Sequence, residues 1–306
     1  MIMEKKDLVI IGSGPAGLTA GIYAQRAKLN TVILEKYVTG GLVVNTDIIE
    51  NYPGFKEISG FDLMQKMEEQ ARAIGVNIVP EEVETLEIRD NVKIVKTSKN
   101  EYETSAIIIA TGTHYKKLNI PGEEKFFGKG ISYCAICDGP LYKNKNVAVI
   151  GCGNSGIQEG LFLLKFVNHI TFVEFLPFIT ADKTLQERVK KHTNAKFYFS
   201  HKLVSVNGDK GVESITIEGD GVEKTIDVTG VFIFAGLTPN TAFLKDVVQL
   251  DNKRYIMTNE HLETSVPGIF AAGDVREKRF RQIVTAAGDG ALAAFSAELY
   301  IEKNSS

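Results

Sequence analysis

The chain has 306 residues, 24% of them charged and 44% hydrophobic, with a formal net charge of −3. At about 150 residues per domain this predicts two domains with a core each, and it excludes a peptide, a disordered tail and a chain whose global field draws nucleic acid. No apolar run approaches the about 18 residues that span lipid, residues 1–7 turn charged too early for a signal segment, and three cysteines cannot frame a secreted fold, so the expectation is cytosolic, with no membrane or nucleic-acid partner.

In chain order, an apolar strand over 8–11 runs into Gly12, Gly14 and Gly17, then a helix to about residue 27 and a strand over 31–34 that closes on Glu35. The run 107–110 reads as a buried parallel strand that passes into Gly112. Cys134-Ala135-Ile136-Cys137-Asp138 follows, and after it the opening pattern returns: a strand over 147–150, Gly151, Gly153 and Gly156, a helix to about residue 166, and a strand over 170–173 closing on Glu174. Runs 231–235 and 269–272 read as further parallel strands ending at glycine, and 288–299 as a closing helix. Breaks near 114–117 and 243–247 would bracket a central domain of residues 116–245, inserted into a discontinuous one of 1–115 and 246–306.

The two repeats share one physical logic. The first glycine permits the tight turn, the second lets backbone approach a pyrophosphate, the third brings helix against strand, and the acid takes a ribose hydroxyl pair. A lone glycine triplet is weak. Here each copy has the preceding strand, the following helix and an acid 18 residues after the last glycine. The fold class is therefore α/β, with two Rossmann-like dinucleotide-binding domains, the second inserted into the first.

The Cys134/Cys137 pair sits where a helix would begin, and there the dipole and free N–H groups favour a thiolate. Two intervening residues let the sulfurs close a disulfide. A zinc half-site would need a second pair, but no other Cys-x-x-Cys exists and the five histidines, at 114, 169, 192, 201 and 261, are scattered, so no metal is expected. Two inert core thiols are the other alternative. Asp138 could exchange protons with the sulfurs or act only as a cap or turn residue, and Cys152 reads as a small loop residue.

Order and spacing of several segments resemble the low-molecular-weight thioredoxin reductases: Gly12-Ser13-Gly14-Pro15-Ala16-Gly17, Glu50-Asn51-Tyr52-Pro53-Gly54, Ala110-Thr111-Gly112, Cys-x-x-Cys-Asp-Gly-Pro, Pro239-Asn240 and Gly273-Asp274 with Arg281-Gln282. The resemblance covers nearly the whole chain. It implies a homodimeric FAD protein of the flavin disulfide reductase type that serves thioredoxin. Gly12, Gly14 and Gly17 would face the FAD pyrophosphate, Glu35 the adenosine ribose, and Asn51, Asp274, Arg281 and Gln282 the flavin and ribityl part. Ser13, Pro15, Ala16, Lys36, Gly41, Asn45, Val83, Ala110, Thr111, Gly112, Gly273 and Ile283 complete the implied cofactor-binding set. Cys137 would meet the flavin, Cys134 would attack thioredoxin, and Asp138 would be acid and base. One pair serving two clients implies a central domain that swings.

The electron donor departs from that pattern. The family binds NADPH through a His-Arg-Arg stretch and a further arginine, whereas this chain reads Val173-Glu174-Phe175-Leu176-Pro177-Phe178-Ile179-Thr180-Ala181-Asp182-Lys183. A ribose 2′-phosphate beside Glu174 would be repelled, and each missing charge-assisted contact is worth about 1.5 to 3 kcal/mol. NADPH is thus disfavoured. The apolar stretch is similar to the clostridial thioredoxin reductases that take electrons from reduced ferredoxin, which is the expected donor. NADH, which suits the acid, and another dithiol carrier as substrate are the alternatives. Arg276, Lys278, Arg279 and Arg281 would form an exposed basic collar that attracts an acidic electron carrier.

Overall fold

The structure is a computed structural model in which residues 3–89, 92–244 and 246–304 are described. The chain forms two compact units, Met1–His114 with Thr238–Ser306, and Tyr115–Leu237.

The first unit opens with β1 (Met3–Ile11), α1 (Pro15–Arg26), β2 (Thr31–Glu35), α2 (Gly60–Ala73), β3 (Asn77–Pro80), β4 (Val83–Arg89), β5 (Val92–Thr97) and β6 (Glu101–Ile109). The sheet order is β3-β2-β1-β6-β5-β4. Strands β3, β2, β1 and β6 run parallel, while β5 joins antiparallel to β6 and β4. A parallel strand covered on both faces must be apolar throughout. Accordingly Leu8, Ile10, Ile33 and Ile108 pack under α1 and α2, and Val9, Ile11, Val32, Leu34 and Ile109 form the core on the opposite face. Helix α1 lies close to the sheet because its facing residues are small: a Cβ at Gly21 would come 2.7 Å from Ile33 Cδ1.

Strand β7 (Thr113–Tyr115) leads into the second unit. There follow α3 (Glu123–Phe126), β8 (Ile131–Ser132), α4 (Ala135–Asp138), β9 (Asn146–Ile150), α5 (Asn154–Leu163), β10 (His169–Glu174), α6 (Lys183–Val189), β11 (Ala195–Phe199), β12 (Lys202–Asn207), β13 (Ser214–Gly219), β14 (Val222–Asp227) and β15 (Gly230–Ile233). A parallel sheet ordered β11-β10-β9-β15-β8 is accompanied by the antiparallel sheet β12-β13-β14. One face of the parallel sheet buries Val147, Val149 and Phe232 with Ile157 and Leu163 of α5; the other buries Ala148, Ile150 and Val231 with Ile215 and Ile217 of β13. Helix α5 ends at Leu163, and its turn runs on through Phe166 and Val167, whose amides both donate to the Leu163 carbonyl, close to the expected end at 166.

Strand β16 (Leu237–Pro239) pairs with β7, and the chain re-enters the first unit at Thr238, where β17 (Ile269–Ala271) adds parallel to β6 before α7 (Ile283–Asn304). The expected return near residue 245 is displaced upstream. Asn240 already bonds Thr111 and Gly112, and Leu244 is fully buried in the first unit's core. Lys245 itself lies outside the described residues.

Candidate functional site

The carboxyl ends of β1, β2, β6 and β17 lie side by side, and this is where a doubly wound sheet receives its ligand. Gly12 has φ +101° and a Cβ there would fall 2.5 Å from Ala110 O, so only glycine fits. A Cβ at Gly17 would meet Gly12 O at 1.8 Å, which locks α1 against the turn. Gly14, by contrast, caps α1 with nothing within 4 Å of its Cβ position. Pro15 opens the helix and Ala16 is buried behind it. The open side of Gly14 and the amides at the start of α1 form an anion seat.

Around this turn the structure gathers the other expected residues. Glu35 Oε2 accepts from Ser13 N at 2.8 Å and Ser13 Oγ at 2.7 Å, and Oε1 accepts from Tyr37 N at 2.9 Å. Lys36 Nζ meets Glu82 at 2.6 Å, which sets the end of β2 beside Val83, itself buried at the start of β4. A Cβ at Gly41 would lie 3.9 Å from Gly14 Cα, and the 3₁₀ turn that starts there ends at Asn45. Asn51 Nδ2 donates to Gln282 Oε1 at 3.0 Å across 231 positions, just before Ile283 opens α7.

Ala110 N donates to Ile11 O at 2.8 Å, and Gly112, at φ +62°, has open space at its Cβ position. Thr111 and Asn240 bond reciprocally: Thr111 Oγ1 donates to Asn240 O at 2.9 Å, and Asn240 Nδ2 to Thr111 O at 2.8 Å. Gly273, at φ +79°, approaches Ala16 so closely that a Cβ would lie 2.9 Å from the Ala16 methyl. Asp274 Oδ1 is buried without a hydrogen-bond partner among the described residues. Burial pushes the Asp274 carboxyl up, against the pull of Lys278 and Arg281. A buried oxygen that has no hydrogen bond, only the Lys278 ammonium at 3.6 Å, beside a cradle of open glycines fits a dinucleotide that brings its own hydroxyl donors.

The expected basic collar is corrected. Lys278 turns inward, with its Nζ 3.0 Å from Asp289 Oδ2 and 3.6 Å from Asp274 Oδ1, and Arg276 Nε lies 3.4 Å from Asp289. Arg281 lies over the Tyr255 ring at 4.0 Å. Asp289, absent from the sequence reading, pairs with Arg276 and Lys278 and also accepts the Gly273 amide at 3.1 Å. Of the four cations only Arg279 is exposed. No spacing signal marked Asp289, which lies 16 positions from the glycine it holds.

In the second unit Cys134 and Cys137 are joined, with S–S 2.09 Å and Cα–Cα 5.4 Å. The helix expected after Cys134 is a single turn, α4, with Cys134 as its N-cap. Cys137 N donates to Cys134 Sγ at 3.2 Å. Ser132 Oγ accepts from Cys134 N at 3.0 Å and donates to Cys134 O at 3.1 Å. Cys137 is exposed while Cys134 and Asp138 are half-buried. Asp138 closes the same turn.

The second glycine turn repeats the first. Gly151 has φ +100°, a Cβ at Gly156 would meet Gly151 O at 1.9 Å, and Glu174 accepts from Cys152 N at 2.6 Å and Leu176 N at 2.9 Å. The differences lie around it. Asn154, at the start of α5, is engaged by Asp182 in both directions, its Nδ2 donating at 3.0 Å and its Oδ1 accepting the Asp182 amide at 2.7 Å. Phe175 and Phe178 stand exposed beyond Glu174. Burial, and then the Glu174 charge, push the Cys152 thiol up to about 12, so it stays protonated and inert.

A family model described as pyridine nucleotide-disulphide oxidoreductase matches residues 6–290. A 34.2 kDa protein in the rubredoxin operon of Clostridium pasteurianum is 45% identical over 97% of this chain and 98% of its own length. The crystal structure of Lactococcus lactis thioredoxin reductase in its FR conformation is 40% identical, covers 97% of this chain and 99% of that one, and superposes with a TM-score of 0.96. A ferredoxin-flavin thioredoxin reductase from Clostridium acetobutylicum is a more distant neighbour, at 29% identity and TM-score 0.55 over 99% of both chains. The expected likeness to the ferredoxin-dependent type is thus not carried by overall similarity.

Proposed function

Because this chain belongs to the pyridine nucleotide-disulphide oxidoreductases, in the low-molecular-weight thioredoxin reductase branch, we propose that its Cys134/Cys137 pair reduces thioredoxin with electrons from reduced ferredoxin. FAD is its cofactor and supplies, when bound, the conversion between the donor's electrons and the two-electron chemistry of a dithiol. The open Gly14 turn would seat its diphosphate, Glu35 its ribose, and Asp274, whose Oδ1 makes no hydrogen bond, with Asn51, Arg281 and Gln282, its ribityl and flavin part.

The observation that carries the catalytic reading is the Cys134–Cys137 disulfide on a partly open turn next to Asp138. Two electrons and two protons open it to a dithiol. Cys134 then loses its proton, the Cys137 amide stabilising the thiolate, and its sulfur attacks the carrier disulfide to form a mixed disulfide and one carrier thiolate. Asp138, protonated in turn, hands that leaving sulfur its proton. The Cys137 thiol, once deprotonated, displaces the second carrier sulfur from Cys134 and restores the intrachain bond.

The donor reading rests on charge. Between Val173 and Asp182 there is no cation, and the Asp182 carboxylate holds the α5 entrance where a nucleotide's phosphates would lie. A flavin accepts single electrons from an iron protein by proximity and needs no hydride pocket. NADH is the second reading, favoured by the intact backbone of the Gly151 turn. Anaerobic mixing of the holoprotein with reduced ferredoxin, NADH or NADPH distinguishes them: rapid flavin bleaching by ferredoxin alone is expected, and rapid bleaching by NADPH would sink the donor reading. A second copy of the chain suits α7, whose Leu292, Phe295 and Leu299 stand exposed at helical spacing.

A further inference from the structure

In the first unit the Lys278 ammonium lies between two carboxylates and is bonded to one of them. Its side chain is 9% exposed, and a nitrogen so withdrawn from water needs protein acceptors. Nζ donates to Asp289 Oδ2 at 3.0 Å and to Thr285 Oγ1 at 3.3 Å; both acceptors stand on α7 at i, i+4 spacing and so on one face of the helix. Asp274, in the turn Gly273–Val275, has its Oδ1 3.6 Å from the same nitrogen, which is too far for a hydrogen bond. Asp289 Oδ2 also accepts the Gly273 amide at 3.1 Å and so ties α7 to the turn that carries Asp274. Arg276 Nε approaches that oxygen at 3.4 Å without a hydrogen bond, and Arg281 is turned to the Asp274 and Arg276 carbonyls and the Tyr255 ring. Helix α7 therefore decides which carboxylate takes the ammonium.

We propose that Asp289 is a positioning residue for the flavin cofactor: by keeping the Lys278 ammonium on α7, it leaves the Asp274 carboxylate without an internal hydrogen bond and available to a cofactor hydroxyl. The Asp274 side chain keeps 29% of its surface exposed, so a ligand can reach it. Were Asp289 to release Lys278, the neighbouring carboxylate oxygen would be Asp274 Oδ1, and a small side-chain shift would close the 3.6 Å gap to a charge-assisted bond. Such a bond is stronger than one from a neutral hydroxyl, so the cofactor would have to compete with an internal donor. A merely structural Asp289, which only ties Gly273 to α7, makes a different demand. Removing Lys278 as well would then add to the damage, whereas under the positioning role it repairs it.

The proposal rests on the reading above that Asp274 receives the cofactor, and its test separates the two. FAD affinity is measured by titrating flavin-stripped protein with FAD and following the quenching of flavin fluorescence; for a variant that cannot be stripped, the rate of FAD release from the holoprotein gives the same comparison. Asp289→Asn keeps an oxygen for the Gly273 amide and removes the carboxylate that holds Lys278. It is expected to weaken FAD binding about tenfold, the equivalent of one hydrogen bond to a charged group. Asp289→Asn combined with Lys278→Met should return to within about threefold of Lys278→Met alone, because no ammonium is left to occupy Asp274. An unchanged affinity in Asp289→Asn overturns the proposal, and so does a double variant that binds no better than Asp289→Asn. A folding defect introduced at position 289 would persist in the double variant and counts as no recovery. Asp274→Ala tests the underlying reading: if it binds FAD as tightly as the parent, Asp274 does not receive the cofactor. If it loses about tenfold while Asp289→Asn loses nothing, that reading stands and only the proposal falls.

Discussion

Cys134 and Cys137 are chemically alike but differently placed. Cys134 caps α4 and receives an amide, whereas Cys137 donates it, so the stabilised thiolate is that of Cys134. Cys134→Ser should therefore leave donor-driven flavin reduction intact and abolish thioredoxin turnover; loss of both in stopped-flow traces would contradict this division. The missing cations beyond Glu174 give a second test at single residues. Phe175→Arg combined with Leu176→Arg puts two guanidinium groups beside the retained Gly151 turn, and each phosphate contact formed is worth about 1.5 to 3 kcal/mol. The double variant should bleach with NADPH at least about tenfold faster than the parent.

At the scale of elements, the glycines of one turn divide into two kinds. Gly17 keeps α1 on β1, and a Cβ there would collide with Gly12 O at 1.8 Å. Gly17→Ala should destabilise the first unit by about 1 to 3 kcal/mol or more through forced backbone shift, read as a lower thermal midpoint without added flavin. Gly14→Ala meets nothing in the protein and should leave that midpoint unchanged while weakening FAD retention, because the methyl occupies the ligand's side. Near the redox turn, Glu123 is 5% exposed; burial raises its pKa, but the Tyr133 hydroxyl and the Leu118 and Asn119 amides outweigh this and hold it below 4.5. A carboxyl depressed in the folded state contributes stability above its unfolded pKa and loses it as pH falls through the folded one. Glu123→Gln should lower stability at neutral pH and flatten its acid limb below about pH 4.5, as urea midpoints against pH would report.

At the scale of the molecule, the exposed stripe on α7 calls for a partner. Leu292→Asp with Phe295→Asp should convert a dimer to a monomer in sedimentation experiments with little effect on thermal stability of the monomer, since neither residue is in the core. By itself, the sequence determined what is local or periodic. Two glycine turns with their acids, the apolar parallel strands and the cysteine pair are written in contiguous residues, because tight turns, two-face burial and sulfur reach depend on spacing along the chain. Lys278 and Asn240 mark where that reading stops. The basic run turns inward because Asp289 waits on α7, and the return crossing moves because Asn240 finds Thr111. Only the tertiary structure could decide these, because a buried charge or backbone group takes whichever partner folding brings within about 3 Å, and that choice leaves no period in the sequence.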